Sequence, residues 1–424
     1  MKAVNEGRLT VTPAVQGHWD LCLQCRACEV ACPSGVPYGR LMEATRASMQ
    51  GVAKHSFKEK VGRSAGYNWV LAKPGRLRMA GRALKLYQRT PARVIARGSG
   101  LLKILPGRLD YLDKSLPRMS KRFFVADGRV IPAQGRKRAR VAMLAGCVMT
   151  LMHAPALEAA TRVLARNGVE VVLTRGQGCC GALNSHAGER ATAREMARHN
   201  IDSFLATEPD AVIVASAGCG STMKEYTELL HSDPQYAAKA ERVSRLTKDI
   251  HEFLAALPLI PPRLSDREPA SPVHPERVEG RTGPATVAKL RVVYQDACHL
   301  ANAQRVREAP RKLLRAIPGI ELVEIDEPTV CCGSAGTYSI TQREMSERLG
   351  KRKAVNISAV HPDVVATGNP GCALQVDNYL RSLAKSNPSV SAPRVRYVVE
   401  LLDDAYRAEV EPRPVVPSTS QGEG

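Results

Sequence analysis

An α/β fold with parallel sheets, entered through a short helical segment, is predicted by three observations. All twelve cysteines fall into three sets of four. Two sets repeat each other: Cys147, Cys179, Cys180 and Cys219, then Cys298, Cys331, Cys332 and Cys372. Around each of these, short apolar runs alternate with helix-like stretches, as in β-α-β units with right-handed crossovers.

The first unit spans residues 1–49. Cys22, Cys25, Cys28 and Cys32 precede Pro33, giving the C-x2-C-x2-C-x3-C-P run of ferredoxin-type iron–sulfur proteins. Tyr38 to Met49 reads as a helix. A basic helical connector follows over 50–138, broken by Pro74, Pro91, Pro106 and Pro117.

The first repeat occupies 139–260. Arg140 to Ala145 reads as a strand ending just before Cys147. Pro155 to Asn167 reads as a helix, with Pro in its first turn and Gly168 as a stop. Val169 to Leu173 is a second strand, Arg190 to Leu205 a helix, and Ala211 to Ala215 a third strand running into Gly218 and Cys219. The second repeat occupies 289–410. Its strands are Leu290–Tyr294, Glu321–Ile325 and Val364–Thr367, and its helices Glu308–Ala316 and Thr341–Val355. The cysteine spacings agree within one residue: 147 to 179 against 298 to 331, and 180 to 219 against 332 to 372. Segments 261–288 and 411–424 are rich in Pro, Arg, Glu and Ser and read as a disordered linker and tail.

Cysteines that follow strand ends sit where open parallel sheets place their ligands. Three cysteines at spacing three wrap one face of a 4Fe–4S cubane, and the fourth, before proline, serves the other cluster in two-cluster proteins. Only one such run occurs here. Either Cys22, Cys25, Cys28 and Cys32 share a single cluster, with or without a remote ligand, or a partner run lies outside this chain. The adjacent pairs Cys179–Cys180 and Cys331–Cys332 suit a multi-iron cluster, because neighbouring sulfurs reach different irons. Each repeat supplies four thiolates, so one or two further clusters are expected. Structural zinc and a vicinal disulfide are the competing readings. Gly181, Gly333, Gly218 and Gly371 let the backbone approach closely. His186, His299 and Asp296 lie nearby in sequence, and packing or capping is the ordinary role for such residues.

The net charge is +20. Residues 51–140 carry 23 Lys+Arg against 4 Asp+Glu, so +19 of it sits there. That segment suits an anionic membrane surface or an acidic partner. Aromatics are only 4% and no nucleic-acid motif accompanies the charge, so no nucleic acid is expected. No apolar stretch is long enough to span a bilayer, and no secretory signal is visible. Cysteines in such a chain point to a reducing cytoplasm and metal binding. No G-x-G-x-x-G follows a strand and no P-loop is present. The chain therefore handles electrons, and the chemistry on substrate belongs to another subunit.

The chain resembles the Cys-Cys-Gly family, which includes the cysteine-rich subunit of heterodisulfide reductase, the lactate-utilisation complex and the anaerobic glycerol-3-phosphate dehydrogenase iron–sulfur subunit. It is most similar to glycolate oxidase iron–sulfur subunits. The resemblance rests on His18 to Glu29, Cys32 to Arg40, Gly178 to Leu183, Ser216 to Gly220, Asp296 to Leu300 and Gly368 to Cys372. It covers roughly residues 8 to 405. It implies an oxidoreductase subunit, cytoplasmic or peripheral on the inner membrane face. Such a subunit carries electrons from an FAD subunit that oxidises glycolate to glyoxylate toward the quinone pool. The alternative it implies is a heterodisulfide-reductase-like, lactate or glycerol-3-phosphate dehydrogenase subunit. Two departures stand out. The family's earlier ferredoxin run is absent. Thr222 and Gln375 stand where the general pattern ends in a further cysteine, which favours a four-thiolate cluster over the non-cubane type.

Overall fold

The computed structural model describes residues 1–50, 57–99, 113, 116–263, 289–387 and 390–410. The expected tail, and all but the first three residues of the expected linker, lie outside the described residues.

Each repeat is an open sheet built on the same plan. In the first, β2 (Ala139–Leu144) pairs in parallel with β3 (Val169–Val172) and β4 (Ala211–Val214), and β4 pairs in parallel with β5 (Thr247–Asp249). In the second, β6 (Leu290–Tyr294) lies between β7 (Ile320–Val323) and β8 (Val364–Thr367), and β8 pairs with β9 (Arg394–Tyr397). The central strands β4 and β8 are buried along their whole length, which is why they read as continuous apolar runs. A short strand β1 (Val130–Ile131) adds an antiparallel edge to β3.

The predicted helices are present with small shifts at their ends: Ala154–Arg166, Arg190–Leu205, Glu308–Arg315 and Arg343–Ser358. Strands β1, β5 and β9 were not anticipated. They are two to four residues long, and Thr-Lys-Asp and Arg-Val-Arg-Tyr carry little apolar signal. Neighbouring strands dictate them.

The repeats share one core. Leu157 and Leu164 of the first lie in the same buried cluster as Leu313, Val398 and Leu402 of the second. Their helices pack reciprocally. Ala154–Arg166 lies on Val398–Val410, and Ile250–Ala256 lies on Glu308–Arg315. Arg162 clamps the half-buried edge with two-pronged bonds to Asp403, at 2.9 and 2.7 Å. Burying this apolar face against a near copy of itself turns both sets of strand ends toward each other. At that seam the Ala217 amide donates to the Gly368 carbonyl at 3.0 Å. The Gly218 amide donates to Asn369 Oδ1 at 3.1 Å.

Candidate metal centre

The N-terminal cysteine loop docks onto this seam. Two of its residues adopt left-handed backbone, Gln24 (φ 54°) and Arg26 (φ 58°), a conformation uncommon outside glycine. The strain is held by contacts with the repeats. Buried Arg26 donates to both carboxylate oxygens of Glu225, one at 2.7 Å. Arg46 donates to the carbonyls of Trp19, Cys22 and His186 at 2.9 to 3.1 Å. From the second repeat, Asn302 donates to the Cys25 carbonyl at 3.0 Å and the Tyr338 hydroxyl to the Leu21 carbonyl at 3.0 Å.

The result is one cavity of about 910 Å³ that draws on all three cysteine sets. Nine cysteines line it: Cys22, all four of the first repeat (Cys147, Cys179, Cys180, Cys219) and all four of the second (Cys298, Cys331, Cys332, Cys372). Cys25 and Cys28 stand behind Cys22, close enough for mutual repulsion, and Cys25 also feels Cys298. Cys25, Cys28 and Cys32 do not line the cavity. Cys32 accepts hydrogen bonds from the Val36, Ser34 and Gly35 amides, which pull its thiol below the ordinary range. All twelve are free thiols.

Within each repeat the thiols form a string. Cys147 and Cys180 both hydrogen-bond to Cys179, and Cys180 also meets Cys219. Hydrogen bonding to Cys179 and then burial push Cys147 well up, while Cys179, receiving both bonds, is pulled well down. In the second repeat the string runs Cys298–Cys331–Cys332–Cys372, and the Cys331 contact and burial push Cys298 well up. Buried thiols crowded in this way cannot all ionise unless cations lie among them. The donor set therefore fits a positively charged, sulfur-loving metal group. Among the described residues no three His, Cys, Asp or Glu side chains converge as a single-ion site does.

The backbone supports differ between the repeats. In the first they are neutral. Gln177 bridges the Ala145 amide (2.7 Å) and the Met143 carbonyl (3.0 Å). Asn200 donates to the Cys179 carbonyl at 2.9 Å, and the Tyr226 hydroxyl to that of Cys180 at 2.8 Å. In the second, charged groups join neutral ones such as Ser346, which donates to the Gly333 carbonyl at 2.8 Å. Asp296 is gripped by Arg311 at 3.0 and 2.8 Å, and Lys353 donates to the Glu327 and Pro328 carbonyls. Burial pushes the Lys353 amine down, against attraction from Cys332 and Asp296. Asp296 thus acts as a structural anchor.

His186 and His299 both line the cavity, their ring centres 5.2 Å apart. His299 Nδ1 lies 3.5 Å from Cys298 Sγ, and its Nε2 is buried without a protein partner. Burial pushes His299 down to about 3, so the ring is neutral. His186 is paired with Glu43 at 2.8 Å. Burial would raise the Glu43 carboxyl, but the His186 hydrogen bond and the Arg26 charge hold it below the usual range. Arg26, Glu43, Arg46, Asn302 and Lys353 carried no signal in the sequence, because their partners are distant along the chain.

A duplicated cysteine-rich α/β unit with thiols gathered at its strand ends defines a class of iron–sulfur proteins. The model of the cysteine-rich domain matches residues 141–224 and 292–377, and that of the glycolate oxidase iron-sulfur subunit linker region matches 58–116. The probable glycolate oxidase iron-sulfur subunit of Bacillus subtilis (strain 168) is 36% identical over 377 residues, covering 89% of this chain and 80% of that protein. The glycolate oxidase iron-sulfur subunit of Escherichia coli (strain K12) is 29% identical over 413 residues, 96% and 87% of the two chains. A hypothetical protein from Helicobacter pylori superposes with a TM-score of 0.42 and 10% identity over 87% of this chain and 77% of its own. That likeness is too loose to bear on the argument. The chain belongs to the glycolate oxidase iron–sulfur subunit family.

Proposed function

We propose that this chain is the electron-carrying subunit of a 2-hydroxy-acid oxidase, with glycolate the substrate class its relatives' names suggest. Substrate oxidation belongs to a partner flavoprotein holding FAD, and the electrons leave toward the quinone pool. The observation that supports this reading most is the convergence of nine cysteines from three separate runs on one cavity.

In this reading Cys22, Cys25 and Cys28 hold a 4Fe–4S cluster, and Cys32 supplies either its fourth thiolate or a ligand to another cluster. Cys147, Cys179, Cys180 and Cys219 hold iron in the first repeat. Cys298, Cys331, Cys332 and Cys372 hold iron in the second. Such clusters, when bound, accept and release electrons one at a time. The protein's part is positioning and electrostatics. Arg26 and Arg46 seat the N-terminal loop against both repeats. Gln177, Asn200, Tyr226, Arg311 and Lys353 fix the loops that carry the thiols. The His299 ring packs beside Cys298. A peripheral position on the inner face of the membrane completes the proposal.

The test is a co-purified complex with its flavoprotein partner, kept free of oxygen and mixed with glycolate. The proposal expects iron–sulfur EPR signals to appear on mixing, and to be absent when this chain is mixed with glycolate alone. Reduction of a disulfide by the isolated chain, with no response to glycolate in the complex, would favour a heterodisulfide-reductase-like activity instead.

A further inference from the structure

The connector carries a surface that the electron path leaves unexplained. Lys60 to Ser99 contains ten Lys and Arg and no Asp or Glu. The five most exposed large apolar side chains among the described residues all lie in or just before it: Phe57, Met79, Leu86, Val94 and Ile95, each 60 to 81% exposed.

The helix Pro74–Arg89 shows how the two features combine. Its inner face is fixed to the first repeat. Gly81 is buried, and a Cβ there would meet the Leu151 side chain at 3.0 Å. Leu77 packs against the buried cluster around Cys147. The outer face presents Arg78, Met79, Arg82, Leu86 and Arg89, all exposed at helical spacing. Next to it, half-exposed Trp69 lies under the Arg76 guanidinium, 4.5 Å from ring centre to Cζ. In the following helix, Ala92–Gly98, Arg93 and Arg97 are tied to Asp113 while Val94 and Ile95 face outward.

We infer that residues 57–98 form a seat for an anionic lipid bilayer. Cations around single apolar side chains, with a tryptophan among them, match what a headgroup layer accepts. Phosphates take the arginines, and the acyl boundary takes the isolated apolar side chains. An acidic protein surface would satisfy the arginines but offer no apolar pocket to side chains separated by charges. No described helix is long and apolar enough to cross a membrane, so the contact is peripheral. The same segment reaches the site, since Gly62, Arg63 and Tyr67 line the cysteine cavity. One continuous segment thus joins the seat to the cavity. This deepens the peripheral position proposed above, and it holds whichever clusters the cysteines bind.

The experiment is co-sedimentation of the full chain with vesicles of phosphatidylcholine alone or mixed with phosphatidylglycerol. The wild type is expected to sediment with the anionic vesicles only. R78Q/R82Q/R89Q is expected to bind about a hundredfold more weakly, at roughly fivefold per charge. M79S/L86S/V94S/I95S is expected to lose most of its binding even at low salt, with a circular dichroism spectrum matching the wild type. Two results would overturn the inference: the wild type ignores anionic vesicles, or both variants bind them unchanged. Capture of a wild type that ignores vesicles by the purified flavoprotein, through the same arginines, would assign the surface to a protein. The wild-type result decides even if a variant misfolds.

Discussion

The two repeats share a strand order and a cysteine spacing, yet the second adds charged supports to its thiol-bearing loops where the first uses neutral ones. Two residues before the first cysteine the first repeat has Ala145 and the second has Asp296. Ala145 is fixed through its amide by neutral Gln177, and Asp296 through its carboxylate by Arg311. Behind the paired cysteines the first repeat buries Asn200 and the second buries Lys353. A duplicated backbone therefore preserves the geometry of a site while leaving its local charge free to diverge. Since charge and hydrogen bonds near sulfur set cluster potentials, the two repeats are expected to differ as electron carriers.

The sharpest way to break the comparison is to remove the paired thiols of one repeat at a time. C179S/C180S and C331S/C332S should each abolish iron binding in the altered repeat and leave the iron of the other in place, read by iron and sulfide content. Loss of all repeat-bound iron in either variant would show that the two strings serve one shared group.

Next in size is Arg311→Met. It leaves the Asp296 carboxylate buried without its cation, at a cost of about 3–5 kcal/mol. Its neutral counterpart, Gln177→Leu, strands the buried Ala145 amide for about 1–3 kcal/mol. Urea titration should rank them in that order, and the reverse order would mean that the charged support is dispensable.

The glycines after the cysteine pairs give a third contrast. Gly181 and Gly333 have φ of 84° and 82°, so alanine costs each roughly 1–2 kcal/mol of backbone strain. At Gly333 a Cβ would also stand 2.7 Å from the Ser346 carbonyl oxygen, whereas at Gly181 the nearest atoms are at 3.4 Å. Gly333→Ala should therefore lower the melting temperature more than Gly181→Ala. Equal losses would contradict the tighter packing of the second repeat.

Lys353 sharpens the redox side. If Cys331 and Cys332 hold the proposed cluster, the Lys353 ammonium would stabilise its extra negative charge on reduction, so Lys353→Met should lower the midpoint potential of the second repeat alone. A rise, or an equal shift of both signals in an EPR redox titration, would refute the assignment.

The last contrast concerns pH. Six residues after the first cysteine stand His153 in one repeat and Gln304 in the other. Burial pushes His153 down from 6.5 to about 4. An unfolded chain takes up this proton near pH 6.5, and the folded chain only near pH 4. Stability should thus fall as the pH drops through that window, by at most about 3 kcal/mol. His153→Phe should flatten that part of the curve. An unchanged slope in urea titrations would place the acid sensitivity elsewhere.

The parallel sheets and their cysteines were legible in the sequence because buried strands such as Ala211–Val214 are continuous apolar runs that stop at a glycine and a cysteine. Edge strands such as Thr247–Asp249 were not, because pairing to a neighbour makes them strands. The meeting of both repeats at one cavity was also invisible, since it depends on reciprocal packing of Ala154–Arg166 and Glu308–Arg315 against distant helices. Arg26 looked like an ordinary loop cation, and its partner Glu225 lies 199 residues away. The first cysteine run shows the converse. The motif groups Cys22, Cys25, Cys28 and Cys32, and the fold brings only Cys22 of the four to the cavity wall.

The most direct measurement is iron, acid-labile sulfide and zinc content of the chain purified without oxygen, with EPR of the dithionite-reduced protein. The account predicts iron and sulfide in matching amounts, reducible iron–sulfur signals, and their stepwise loss in the two cysteine-pair variants. Stoichiometric zinc without sulfide would contradict it and leave these cysteines as structural ligands.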